Sequence, residues 1–314
     1  RDGNSRFFWG YVVTGIVLAW LVCHAARKDE RGWSALFQRQ TWWSPSARND
    51  YLLLVLRPVL ALSILSWCTV NGGWVAGQVA GLLRALGVSG TATDGSVLLV
   101  AGLLTATLFI VDDFLKWSVH HVFHRVPALW EFHKVHHSAE VLNFTTSERF
   151  HPVEAFLTGA AVAAGIGVVN GVFIAAVGHK LTPVTIAGAN IFLFTANIFG
   201  GVLRHSPCWL AFPPAVERWI VSPAMHQIHH SSEQRHWDKN MGVTLSVWDR
   251  LAGTYLSAEN EKVAAYGIGA ETPEWRSFTT ILVRPFLASF AILKASLARR
   301  FAGAAADQPA GPHA

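Results

Sequence analysis

The run VLLVAGLLTATLFIVDDFLKWSVHHVFH, residues 97–124, decides how this chain is read. From Val97 to Trp117 it is long and apolar enough to match the roughly 20 residues that a helix needs to cross a hydrocarbon core. Continued past Trp117, the same helix carries His120 and His124 at i and i+4, one above the other on a single face. A spanning helix that emerges with two stacked imidazoles predicts a site built at the membrane surface.

Working outward, four more runs have spanning length: Phe7 to Ala26, Tyr51 to Asn71, Val153 to Gly178 and Pro183 to Leu203. Arg57 and Pro58 in the second are compatible with a span if the arginine reaches the interface and the proline sits near the first turn. Trp74 to Leu86 is shorter, is interrupted by Gln78 and Arg84, and reads as re-entrant or interfacial. Phe278 to Phe301 mixes apolar residues with Arg284, Lys294, Arg299 and Arg300, as a helix lying on the bilayer does, and Ala302 to Ala314 reads as a disordered tail.

Composition agrees with lipid. Of 314 residues 52% are hydrophobic and only 14% charged, against about 25% in soluble chains. The expected fold is therefore an all-α integral membrane protein with four to five transmembrane helices and a helical cap. It is organised as one unit: N-terminal membrane helices over 1–96, a histidine-bearing domain over 97–260, and an interfacial helix with its tail over 261–314. The chain begins at Arg1 without methionine, which leaves room for a preceding segment.

The net charge of +5 is spread along the polar stretches without aromatic interleaving, which suits anionic headgroups and argues against nucleic acid. Arg27, Lys28, Arg31, Arg39 and Arg48 between the first two spans assign that loop to the cytoplasm. Counting spans then places the histidine side of the chain, with Lys116, Arg125, Lys134, Arg149, Arg204, Arg218, Arg235, Lys239 and Arg250, on the cytoplasmic face. Cys23, Cys68 and Cys208 are scattered and form neither a disulfide framework nor a thiolate metal site.

Ten of the fifteen histidines make a pattern. His120 and His124 are followed by His133, His136 and His137, and by His226, His229 and His230, two triplets at i, i+3, i+4. His151 before the fourth span and His205 after the fifth enter the same side of the membrane. Ten imidazoles exceed what one four- to six-coordinate ion uses, so two ions with about five ligands each are expected. Neutral ligands leave positive charge to be balanced. Asp112, Asp113, Glu148, Glu154, Asp238 and Asp249, with Asn240, are candidates to take the outer ring N–H groups. His121 and His236 stay outside the set, His121 because it points about 100° away from His120. A membrane hydrolase using the same cage and a bis-histidine haem carrier remain alternatives at this point.

The blocks Asp113 to His120, Pro127 to Ser138, Asn143 to Glu154, Ser222 to Ser231, Asn240 to Gly242 and Trp248 to Thr254, in this order, resemble the fatty acid hydroxylase/sterol desaturase superfamily of membrane di-iron enzymes. Lys116, Ser118 and Val119 interrupt the aromatic run usual before the first histidine, and His121 stands where arginine is usual. The resemblance implies two iron ions on the ten histidines, with zinc as a competitor during purification, and O2 as co-substrate. It implies hydroxylation, or otherwise oxidation, of an unactivated C–H bond in a lipid or sterol-like substrate, with desaturation as the runner-up. No flavin, haem-attachment or Fe–S motif is present, so an external donor of ferredoxin, rubredoxin or cytochrome b5 type is implied, docking near Arg235, Lys239 and Arg250.

Overall fold

The computed structural model describes residues 9–25, 34, 36–63, 70–90, 97–186, 188–199 and 201–306. The chain is mostly helical. Its helices are α1 (Trp9–Ala25), α2 (Arg39–Trp43), α3 (Pro45–Ser63), α4 (Gly72–Ala85), α5 (Val97–Arg125), α6 (Pro127–His137), α7 (Pro152–Val177), α8 (Ile191–Ile198), α9 (Pro214–Glu217), α10 (Pro223–His229), α11 (Val247–Ala252) and α12 (Phe278–Ala306). Among the described residues, sheet is limited to one two-stranded hairpin, β1 (Thr185–Ile186) against β2 (Ala189–Asn190).

Helix α5 is the axis of the molecule. At 29 residues it is about 43 Å long, so a hydrocarbon core of about 30 Å leaves its last turns projecting with His120 and His124. Leu104 and Leu108 of α5 pack on Val169 and Val177 of α7, while α6 reverses the chain over the end of α5 after Val126 and Pro127. Among the described residues, α5, α7 and the stretch Phe278–Arg300 of α12 are long and apolar enough to cross a membrane. The protein is accordingly an integral membrane protein.

The polar cap is tied to these helices by buried side chains. Leu53 of α3, Val135 of α6, Trp275 of the 3-10 turn at Gly269–Arg276 and Ile281 of α12 form one apolar cluster, and Ala224, Met225 and Ile228 of α10 form another with Val221 and Ala258. Asp113 near the middle of α5 accepts from the backbone N–H of Thr244 and Leu245 and from Trp248 Nε1, at 2.9–3.0 Å, which fixes the cap loop to the span.

Several helices depart from the sequence expectation. Pro183 to Leu203 is not one span: the hairpin, α8 and a 3-10 turn at Gly201–His205 divide it. Asn190 turns the chain by accepting from Phe192 N–H and donating to Thr105 O. Phe7 to Ala26 yields α1, 17 residues among those described. The second run starts earlier than expected, with Pro45 rather than Pro58 at the first turn, and its end at 64–69 lies outside the described residues. Arg27, Lys28 and Arg31 also lie outside them. Phe278 to Phe301 has the length and apolarity to span, although its composition suggests a surface helix. Ala302 to Ala306 continues α12, and the rest of the expected tail is outside the described residues.

Trp74 to Leu86 becomes α4, packed closely along α7. A Cβ at Gly171 would stand 2.6 Å from Val79 Cβ and 2.7 Å from Ala76 O, and one at Gly167 2.6 Å from Gly72 O, so glycine is what lets these backbones meet. Arg84 interrupts the apolar run for a reason: its Nη2 donates to Ile174 O and Gly178 O, capping the end of α7. Gly171→Val is expected to destabilise the protein by about 1–3 kcal/mol through overpacking, whereas Gly81→Ala, where a Cβ meets nothing within 4 Å, is expected to be neutral or stabilising. Thermal unfolding followed by size-exclusion fluorescence measures both; equal behaviour of the two variants contradicts this packing.

Candidate metal centre

Nine of the ten expected histidines converge. His120, His124, His133, His137 and His229 form one group and His136, His205, His226 and His230 a second, with the ring nitrogens of each group within 4.8 Å of one another. The triplets are shared between the groups in opposite senses. On α6, His133 and His137 enter the first group and His136 the second; on α10, His226 and the capping residue His230 enter the second and His229 the first. Helical geometry accounts for this, because i and i+4 lie about 40° apart while i+3 is about 100° from i+4. Each triplet helix straddles the line between the two groups.

The outer ring nitrogens define the tautomers. Nδ1 of His120 lies 2.8 Å from Met241 O, Nδ1 of His229 2.8 Å from Lys239 O, and Nδ1 of His136 3.3 Å from Arg149 O. A carbonyl can only accept, so each of these Nδ1 atoms carries the proton and each Nε2 presents a lone pair. Glu154 Oε1 does the same for His133 at 2.7 Å, and Asp238 Oδ1 for His124 at 3.3 Å. The Nε2 atoms of His120 and His133 consequently face each other at 3.0 Å, lone pair against lone pair. In the second group Nε2 of His205 stands 3.0 Å from that of His226 and 3.1 Å from that of His230. Nε2 of His124 and His229 are buried with no hydrogen-bond partner among the described residues.

Such convergence is unfavourable without a cation and suits one well, since metal–imidazole bonds of about 2.0–2.1 Å space neighbouring nitrogens roughly 3 Å apart. The donor set, neutral imidazole throughout, fits iron, zinc, copper or nickel. A porphyrin does not fit between rings whose centroids lie 4.6–5.0 Å apart across each group.

His151 does not join either group. Its Nδ1 accepts from Val153 N–H, capping α7, and its Nε2 lies against Leu282 O at 3.3 Å. A histidine placed just before a proline-initiated helix is as well suited to capping as to ligation, and here the cap takes it. His121 stacks on Trp117, and His236 pairs with Glu261, both away from the groups.

The expected supporting residues divide by position. Glu154 and Asp238 touch imidazoles directly. Asp249 does so through the backbone: it accepts from Met241 N–H and Gly242 N–H, fixing the peptide whose carbonyl holds His120. Asn240 bonds Met225 O and both polar groups of Leu256, and with Asp238 it adopts positive φ, the price of a loop that turns the Lys239 and Met241 carbonyls toward two histidines. Asp113 anchors the cap loop without reaching a histidine. Asp112 pairs with Lys116 instead, and Glu148 lines the adjoining cavity.

Sequence reading missed Asp50. Its carboxylate is fully buried against Arg149, which also donates to Val135 O, Ser46 O and Ser138 Oγ, while Thr146 donates to the other Asp50 oxygen. The Arg149 carbonyl is the partner of His136 Nδ1, so the segment before the spanning core reaches the metal centre through this pair. Arg149, counted on sequence as a topology-setting surface charge, is a buried structural one.

A cavity of about 390 Å³ opens onto both groups, reached by His120 and His133 from the first and His136, His205 and His226 from the second. Its walls come from α1, α5, α6, α7, α8, the segment 144–150 and the turn at Gly201–His205, so it lies beside the spanning-length helices α5 and α7 and adjoins the cap.

Residues 105–254 match the fatty acid hydroxylase family model. Over this histidine-bearing part the chain is similar to the fatty acid hydroxylase/sterol desaturase superfamily. The ornithine lipid hydroxylase of Rhizobium tropici is 25% identical over 181 residues, covering 56% of this chain and 48% of the relative. The alkylglycerol monooxygenase of Homo sapiens is 27% identical over 160 residues, 51% of this chain and 32% of the relative. A very-long-chain aldehyde decarbonylase of Oryza sativa is 28% identical over 186 residues, 55% and 27%. The chain thus spans less than half the length of these curated relatives. No solved structure matches it significantly.

Two expectations follow. Glu154→Gln is expected to weaken metal retention by about 10–100-fold, whereas His151→Asn, which preserves a capping acceptor, leaves metal content unchanged; metal analysis after dialysis against chelator compares them, and loss of metal in His151→Asn overturns the division made above. The second concerns pH. Burial, followed by repulsion from neighbouring imidazoles, holds His133, His136, His137 and His226 well below the ordinary histidine value. The unfolded chain takes up protons below about pH 6.5 and the folded cage does not, so stability is present above that pH and is lost on acidification. The melting temperature of metal-stripped protein is expected to fall from pH 7.5 to pH 5.5; a flat profile contradicts neutral, buried imidazoles.

Proposed function

We propose that this protein is an O2-dependent di-iron oxidase of a lipid-like substrate, inserting oxygen into an unactivated C–H bond. The observation that carries this reading is that both histidine groups open on one cavity beside the spanning-length helices. Iron held by the five and the four histidines supplies O2 activation and oxidation of the C–H bond, with the overall balance R–H + O2 + two electrons + two protons giving R–OH and water.

The protein's own residues account for the rest. Nδ1 of His133 donates to Glu154, and Nδ1 of His120 and His229 to backbone carbonyls, so the ring planes are set before any ligand arrives. Burial of the cage, with Phe150 stacked on His136 at 4.4 Å between centroids and Trp130 against His124, limits water around the reacting carbon. Val12, Val162 and Leu193 present apolar surface to a substrate entering from the bilayer. Names of the relatives, all lipid-oxidising or lipid-converting enzymes, support this substrate class.

The electron donor is proposed to dock on the cap from the cytoplasm. Exposed Arg125, Arg218 and Arg250 on the histidine side favour that face by the positive-inside rule. Arg235 contributes less to docking than its sequence position suggests, because Glu233 and Glu261 bind it.

The test is comparison of lipid extracts by mass spectrometry with and without the iron-loaded protein, reductant and O2. A gain of one oxygen is expected; loss of two hydrogens names desaturation instead. His136→Ala or His229→Ala is expected to abolish turnover with membrane insertion intact, and His121→Ala to stay near wild type. Full activity in either of the first two variants, or turnover without O2, overturns the reading.

A further inference from the structure

The cavity is graded in polarity along its length. On α7 its wall is formed by Glu154, Ala155, Thr158, Gly159 and Val162, which share one face at helical spacing. The polar end of this stripe is at the cage, where Glu154 holds His133; Val162 is about 12 Å further along the helix axis. A Cβ at Gly159 meets nothing within 4 Å among the described residues, so the middle of the stripe faces open space, unlike Gly167 and Gly171 against α4. Val12 of α1 and Leu193 of α8 add apolar lining from other elements, with Asn197 one turn after Leu193.

The cage end holds two cations. Lys116 lies one turn before His120 on α5, and Arg204 directly precedes His205; both line the cavity. Asp112 balances Lys116 at 2.6 Å, and Glu154 is engaged by His133, while Glu148 also faces the space.

We infer that the substrate is a lipid bearing a phosphate or carboxylate group within a few atoms of the carbon that is oxidised, bound with that anionic group beside Arg204 and Lys116 and its chain along the α7 stripe past Gly159. This rests on the oxidase reading and adds an orientation to it. Head-first binding follows from charge placement. The cations stand one residue and one turn from metal-binding histidines, so a carbon near the anion is a carbon near the cage. Tail-first binding would carry the anion past Gly159 to Val162, about 12 Å along α7 from Glu154, and the valine side chain cannot hydrogen-bond it.

The test uses the full chain, metal-loaded and without reductant, so that binding is read independently of turnover. Four probes share one chain: oleoyl lysophosphatidate and oleate as phosphate and carboxylate arms, with oleoylglycerol and oleyl alcohol as their uncharged counterparts. The anionic probes are expected to bind about 10–100-fold more tightly, Arg204→Ala to remove most of that difference, and Arg204→Lys to keep much of it. Gly159→Leu, a substitution into open space, is expected to weaken oleoyl probes and spare decanoyl ones. Equal affinity of charged and uncharged probes for the wild type, or unchanged discrimination in folded Arg204→Ala, overturns the proposal. So does a product oxidised near its terminal methyl group. If anionic discrimination holds in a protein that consumes no O2, the orientation stands and the oxidase reading fails; O2-dependent oxidation without discrimination means the reverse.

Discussion

Nine imidazoles converge on two small buried volumes, five of them with the inner lone pair fixed by an outer acceptor, and most of the surrounding structure follows from that constraint. Where the outer nitrogen carries the proton, as in His120 and His133, the inner lone pairs face each other 3.0 Å apart and repel, and a cation between them relieves the repulsion. Folding therefore has to hold the rings against one another from outside. It does so with Met241 O, Lys239 O, Arg149 O, Glu154 and Asp238, each of which takes an outer N–H and prevents its ring from turning away.

Distribution of ligands between the two groups is a consequence of helix pitch. A single H-x-x-H-H helix cannot aim all three imidazoles at one point, because the third and fourth residues after the first diverge by about 100°. Placing α6 and α10 on either side of the midline lets each give two ligands to one group and one to the other. His120 and His124, from a helix end rather than a triplet, then complete the first group, and His205 completes the second. The two centres are bound into one unit, since each triplet helix touches both.

Support for this unit comes from unexpectedly far along the chain. The buried Asp50–Arg149 pair fastens α3 to the loop whose carbonyl orients His136, and a buried pair of this kind contributes specificity of placement more than net stability. The loop 238–242 plays the corresponding role for the first group, with two non-glycine residues at positive φ held by Asn240 and Asp249 side chains.

The sequence by itself determined the mostly helical membrane character, the reading of 97–125 as a long apolar helix ending in histidines, and the nine histidines that the fold brings together, because apolar run length and i, i+3, i+4 spacing are local properties that survive without tertiary contacts. It also located Glu154 and Asp238. Tertiary structure decided the matters that depend on what lies opposite. His151 has ligand chemistry and the right location in sequence, yet the N–H of Val153 and the carbonyl of Leu282 claim both its nitrogens. Pro183 to Leu203 has a span's composition but is divided where Asn190 and Thr105 meet. Backbone carbonyls at Lys239, Met241 and Arg149 carry no sequence signature, and Asp50 looks like any acidic residue near a helix start. Hydropathy and periodicity report which residues are buried and how they are spaced; only the folded chain fixes which buried group each of them faces.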